Sequence, residues 1–137
     1  MSAQHPVVGS WRVAVDVGHI HGPTNLAILS ADGTVLVAFP SPTPAPPGSG
    51  HRLEYWTPAV GSWQADGDHG ATMAFVALGV AENGNAVGTH TISATVTTSR
   101  QGWSGPFTIA ITSPDGASLG SVSGTVTATR IAANETP

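Results

Sequence analysis

The chain has 137 residues, of which 40% are hydrophobic and 9% charged, and a formal net charge of −4 at pH 7. That length and apolar content suit one globular domain with a core of its own. There are only four basic residues, all arginine, and no cysteine; this excludes the clustered cations that nucleic acid or an anionic membrane surface requires, and also disulfides, thiol catalysis and zinc–thiolate sites. The opening MSAQHPVVGSW lacks a basic n-region and an apolar run, unlike a signal peptide. No stretch approaches the roughly 20 apolar residues of a membrane-spanning helix. The expectation is a cytoplasmic protein of one domain over 1–137, with no nucleic-acid or membrane partner and with loose tails at 1–7 and 132–137.

Alternating apolar and polar runs, separated by turn signals, predict strands throughout and no helix longer than a turn. Trp11, Val13, Val15 and Val17 alternate with Arg12, Ala14, Asp16 and Gly18, so the first strand has one apolar face and Asp16 lies outside. Thr24–Ser30 follows, then the turn Ala31-Asp32-Gly33, whose Asp-Gly is a strong hairpin signal, then Thr34–Phe39. Pro40–Gly50, PSPTPAPPGSG, is expected to stay out of the sheet, because proline has no N–H to donate. His51–Ala65 reads as a strand interrupted at Thr57-Pro58. Ala71–Val80, a turn holding Asn83-Gly84, the Thr-rich Val87–Ser99, a turn at Arg100–Gly102, Trp103–Thr112, the turn Ser113–Gly116 and Ser118–Ile131 complete the chain.

Counting the two parts of His51–Ala65 separately gives nine strands; one strand bent at Pro58 gives eight. An up-and-down barrel closes antiparallel only with an even number, and closure removes edges that a chain so poor in charge has little means of protecting. The expected fold is all-β, a single antiparallel up-and-down eight-stranded barrel, with an open sandwich as the alternative.

The tetrapeptide Val-Gly-Ser-Trp occurs at Val8–Trp11 and again at Val60–Trp63. Gly9-x-Trp11 at the start of the first strand, with Arg130 near the end of the last, resembles the lipocalin/calycin pattern. The ending Gly124–Ile131 and the Asn-Gly and Ser-Pro-Asp-Gly turns are similar to those of small bacterial lipocalin-like proteins. The resemblance implies a calycin-like barrel whose closed end is plugged by Trp11, with Arg130 across the ring. A guanidinium over an indole is worth about 0.5–2 kcal/mol. At the second copy a glycine-permitted bulge at Gly61, followed by a packing Trp63, is expected.

If Trp11 marks the closed end, strand direction gathers Gly18–Asn25, Pro40–Gly50, the turn near Asn83 and Pro114–Gly116 at the mouth. His19, His21, His51, Arg52 and Glu54 fall toward that mouth, His90 begins its strand there, and the proline loop is a candidate lid. GHIHG, Gly18–Gly22, invites a metal reading with His19 and His21 joined by His51 or His90. The plainer reading is a solvated loop, and no metal is expected. His90 shares a face with Ile92, Ala94 and Val96, which aims it at the lumen; it is either a hydrogen-bonded core residue or an acid–base group titrating near neutrality. Arg52, Glu54 and Trp56 share a face. Either they form a charged clamp inside, or Leu53 and Tyr55 point in.

The candidate catalytic residues are therefore His90, Glu54, His19 and His21. Arg52, Tyr55, Trp56, Phe39, Met73, Phe75 and Phe107 are candidate ligand contacts, and Trp11 and Arg130 are structural. Small residues beside Met73 and Phe75, such as Ala71 and Ala77, leave room for a guest. Ala74, Val76 and Leu78 on the opposite face are also apolar, so a partner subunit is expected to cover them, making a homodimer. No GxSxG elbow, phosphate loop or glycosidase-like carboxylate pair is visible, and no cofactor is expected. The expected function is to enclose an apolar small molecule and perform non-redox chemistry on it, such as cyclisation, isomerisation or elimination, by analogy with other small bacterial barrels of natural-product metabolism. A non-catalytic binding protein for a hydrophobic ligand is the alternative, and a filled barrel acting as an interaction module is the third reading.

Overall fold

A computed structural model describes residues 4–136. The strands, in chain order, are β1 (Gly9–Val17), β2 (Ile20–His21), β3 (Asn25–Leu29), β4 (Thr34–Ala38), β5 (Thr43–Pro44), β6 (Leu53–Trp56), β7 (Ala59–Asp66), β8 (Gly70–Ala81), β9 (Ala86–Thr98), β10 (Gly102–Thr112) and β11 (Ser118–Arg130). Eight of them close a ring in the order β1-β3-β4-β7-β8-β9-β10-β11 and back to β1, every pair antiparallel. The barrel is thus all-β, closed and up-and-down, with β2, β5 and β6 outside the ring. No helix among the described residues is long and apolar enough to cross a membrane.

His51–Ala65 accounts for the even number. β6 and β7 both run along β8, from Glu54 opposite Ala81 down to Asp66 opposite Gly70, and the register slips by one residue between Trp56 and Val60. Pro58 has no N–H to give the ladder. Thr57 bridges the gap: its N–H donates to the Leu78 carbonyl at 2.9 Å, and its Oγ1 accepts from the Leu78 N–H at 3.0 Å.

The proline loop departs from expectation. Thr43–Pro44 pairs with Leu53–Glu54 as a short outer ribbon. Pro44 need not donate there, because the Ala45 N–H reaches the Arg52 carbonyl at 2.9 Å. Part of the N-terminal stretch contacts the barrel. Val7 is fully buried, the His5 ring stands 5.4 Å from that of Trp63, and His5 Nε2 lies 3.2 Å from the Gly67 carbonyl; residues 1–3 lie outside the described part. At the other end Glu135 pairs with Arg12.

Period-2 alternation sends Trp11, Val13, Ala27, Leu29, Val35, Val37, Met73, Ile92, Ala94, Val96, Trp103 and Phe107 into one continuous core. The closed end is built around Trp11, which is 1% exposed. Its indole N–H donates to the Val7 carbonyl at 3.0 Å. The Arg130 guanidinium sits 4.3 Å from the Trp11 ring centroid and donates to the carbonyls of Val8 and Pro6 at 3.1 and 3.0 Å. Gly9, at φ 147°, leaves the space through which that guanidinium passes: a Cβ there would stand 2.4 Å from Arg130 Nη1.

The second Val-Gly-Ser-Trp behaves differently from the expected bulge. Gly61 pairs with Phe75 in unbroken register. Glycine is required because a Cβ would lie 1.9 Å from the Ala74 carbonyl oxygen. Trp63 then packs toward the closed end and donates its indole N–H to the Ser30 carbonyl at 2.7 Å. Both copies therefore place a tryptophan N–H on a backbone carbonyl near the barrel's base.

The outside is two-sided. On β9, β10 and β11 the exposed positions are largely serine and threonine, as in Ser93, Thr95, Thr97, Thr108, Ser121, Ser123, Thr125 and Thr127. Across β3, β4, β7 and β8 an uncharged row runs in register, Ile28 to Leu36 to Val60 to Val76. These side chains are between 39% and 59% exposed, and Leu26, Leu78 and Val80 flank them.

Candidate functional site

The ring encloses a cavity of about 400 Å³. Its lower wall is Ala27, Leu29, Val35, Met73, Ala94 and Trp103; its upper wall is Val15, Phe39, Phe75, Phe107, Ile109 and Ile111. The volume falls in the range of small-molecule sites. Pro40, Thr43, Pro44 and Pro46 contribute to its mouth, so the proline segment folds against the opening as a rim. Glu82, in the β8–β9 turn, ties the next stretch down: its carboxylate accepts the N–H groups of Arg52 and Leu53 at 3.0 and 3.1 Å. Those backbone bonds hold the Glu82 carboxyl below the usual carboxylate range.

The polar chemistry gathers at the mouth. β6 alternates, sending Glu54 and Trp56 to the lumen and leaving Tyr55 40% exposed on the other side. Glu54 Oε2 accepts from His51 Nε2 at 2.8 Å, and the two side chains are only 13% and 15% exposed. With Glu54 ionised, Nε2 of His51 is the donor. Glu54 Oε1 has no partner among the described residues. Opposite, β9 presents His90, whose imidazole stacks on the Trp56 indole with centroids 3.7 Å apart and planes inclined by 22°. Gly79 makes this stack possible, since a Cβ there would stand 2.8 Å from the Trp56 ring. Burial lowers the His90 pKa, against the upward pull of the Glu54 charge, so His90 is neutral at pH 7.

Two further polar atoms border the lumen. Asn25 Oδ1 and Trp103 Nε1 are buried with no partner among the described residues, and both side chains line the cavity. An unmade buried hydrogen bond costs on the order of 1–3 kcal/mol.

Seven residues singled out in the sequence thus meet around one cavity: Phe39, Glu54, Trp56, Met73, Phe75, His90 and Phe107. Four do not. Arg52 is exposed and contributes its backbone N–H to Glu82, so no charged clamp forms with Glu54. Tyr55 follows the strand's alternation outward. His19 and His21 are exposed on a tight hairpin that folds back onto β1, and His21 Nδ1 is engaged by Asp16. They stand on the outer rim and do not contact the lumen. Among the described residues no group of three or more histidine and carboxylate side chains is placed to hold a metal ion.

The His51–Glu54 pair and the Glu82 tie are not apparent in the sequence reading. The first had a weak signal in its i,i+3 spacing; the second spans 30 residues and has none. Trp103 and Asn25 were legible in principle, because each shares a period-2 face with lumen residues of its own strand, Phe107 and Ala27.

Fold and site together define a small closed barrel with an apolar lumen and one polar end. Comparison with protein-family models, with curated proteins and with solved structures finds no match.

Proposed function

We propose that the barrel encloses an apolar small molecule and carries out cofactor-independent proton-transfer chemistry on it, of the cyclase, isomerase or lyase kind. The observation that carries this reading is the meeting of a carboxyl group, Glu54, and an imidazole, His90, whose pKa burial lowers, at the mouth of a largely apolar lumen of about 400 Å³. Glu54 takes a proton through its unpartnered Oε1, while His51 holds Oε2 and fixes the carboxylate plane. The proton that Glu54 has taken is returned to a second atom of the same molecule, or to a departing hydroxyl, and His90, neutral and held flat on Trp56, hydrogen-bonds that atom. The lumen walls fold the substrate so that the reacting atoms meet. No nucleophile and no redox group is required.

The test is incubation of the protein with an apolar extract of the cells that make it, followed by chromatography and mass spectrometry. The expected result is loss of one compound and appearance of an isomer of equal mass, or of a product lighter by water. Glu54→Gln and His90→Ala should each abolish the conversion. Conversion at the wild-type rate in both variants would overturn the residue assignment. A purely binding barrel is the second reading, favoured by the largely apolar lining of the lumen; it predicts an unchanged co-purifying guest.

Two elements of setting belong to the same proposal. The Gly9–Trp11–Arg130 arrangement supports a place among calycin-like barrels, working in the cytoplasm. The uncharged row Ile28–Leu36–Val60–Val76 supports a homodimer in which each copy covers the other's row, since an exposed apolar row meets no like-charge repulsion when it packs on its own copy about a two-fold axis.

A further inference from the structure

We infer that the lumen selects its guest by charge, taking apolar molecules whose polar end is a cation or a neutral hydrogen-bond donor and rejecting carboxylates and phosphates. This rests on the lumen being the ligand site. Glu54 is the one formally charged side chain lining the cavity among the described residues. The chain has no lysine, and none of its four arginines borders the lumen. Arg12 pairs with Glu135, Arg52 is exposed, Arg130 lies on Trp11 at the closed end, and Arg100 sits in the exposed β9–β10 turn.

An anionic head group at the mouth would therefore meet a carboxylate and no cation to offset it. His90 does not supply one, because it is neutral and held on Trp56. His51 Nε2 is already bound to Oε2, and Arg52, exposed at the rim, does not line the cavity. A donor group meets the opposite situation. Oε1 is free to accept a proton or a hydrogen bond, and the Trp56 face beside it adds the attraction of an indole for a cation. A hydroxyl or amine at that point is also the group from which Glu54 would take a proton, so selection and chemistry use the same oxygen.

Isothermal titration calorimetry with octylamine, octanol and octanoate compares three probes that differ only at the head. The wild-type protein should bind octylamine most tightly and octanoate least, with an amine-over-carboxylate ratio on the order of tenfold or more after allowance for the open mouth. In Glu54→Gln that ratio should fall to within about threefold. Equal affinity for all three in the wild type, or preference for octanoate, would overturn the charge assignment and leave the lumen site standing. A preference that survives in Glu54→Gln would place the selecting charge elsewhere and overturn it too. No binding of any probe would overturn the lumen reading itself, and this inference with it.

Discussion

The Trp56 indole and the His90 imidazole stack at 3.7 Å, one from a strand outside the ring and the other from a wall of the barrel. The contact joins the mouth segment to the ring and covers one face of a half-buried imidazole. Burial lowers its pKa below the usual histidine value near 6.5. The unfolded chain therefore takes up the proton first as pH falls. The contribution of His90 to stability is present above about pH 6.5 and declines as pH drops toward the lower folded value. Urea unfolding between pH 5 and 8 should show stability rising with pH, and His90→Gln should flatten part of that rise. An unchanged slope in the variant would contradict a desolvated His90.

Gly79 is the seat of that stack. Gly79→Ala places a methyl group within 2.8 Å of the Trp56 ring and should push the indole off His90. Tryptophan fluorescence titrated with acid reads this directly, since an imidazolium beside an indole quenches it. Wild-type emission should fall along the His90 titration, and the alanine variant should lose that component. An identical acid profile in both would show that the stack does not govern the ring.

The closed end yields a stability prediction. Arg130→Ala removes the guanidinium from the Trp11 face together with its two bonds to the Pro6 and Val8 carbonyls, and should cost on the order of 1–3 kcal/mol. Gly9→Ala should destabilise by a similar amount, about 1–3 kcal/mol, because φ 147° and the crowding of Arg130 both oppose a side chain. Thermal melts of the two single variants and the double variant test the connection. With Arg130 removed, the crowding part of the Gly9→Ala penalty should disappear, so the double variant should lose less than the sum.

Size-exclusion chromatography with light scattering tests the outer row. Two copies should give twice the 13.8 kDa chain mass, and Val60→Glu, at the centre of the row, should give one. A wild-type monomer at tens of micromolar would contradict the dimer.

Much of the fold was legible because its signals are local. Alternation marked the eight ring strands, Asp32-Gly33 and Asn83-Gly84 marked hairpins, and the even-number requirement gave the right count for the ring, although the part before Pro58 is a separate strand, β6, outside it. The sequence misled where the decisive contact was distant. The rule that proline cannot pair missed that Thr43 and Ala45 carry the pairing around Pro44. Gly61 looked like a bulge because crowding by Ala74 is invisible along the chain. In the site, period 2 brought His90, Met73, Phe75 and Phe107 to one face. The ambiguity over Arg52, Glu54 and Trp56 came from a strand too short to show its own phase; the structure resolves it by turning Glu54 and Trp56 in and leaving Arg52 at the rim. His19 and His21 are catalytic candidates by sequence because they fall toward the mouth; the fold-back of their hairpin onto β1 leaves them exposed on the outer rim.

The most direct test of the central claim, that the lumen is a ligand site, is titration of Nile red, a neutral apolar dye, into the wild type and into Ala94→Phe. Ala94 lies on the lumen wall between Met73 and Phe107, and the added ring fills the cavity without touching the outer face. The account predicts one saturable site per chain in the wild type and its loss in a variant that still melts cooperatively. Saturable binding that survives in Ala94→Phe, or none in the wild type, would contradict it.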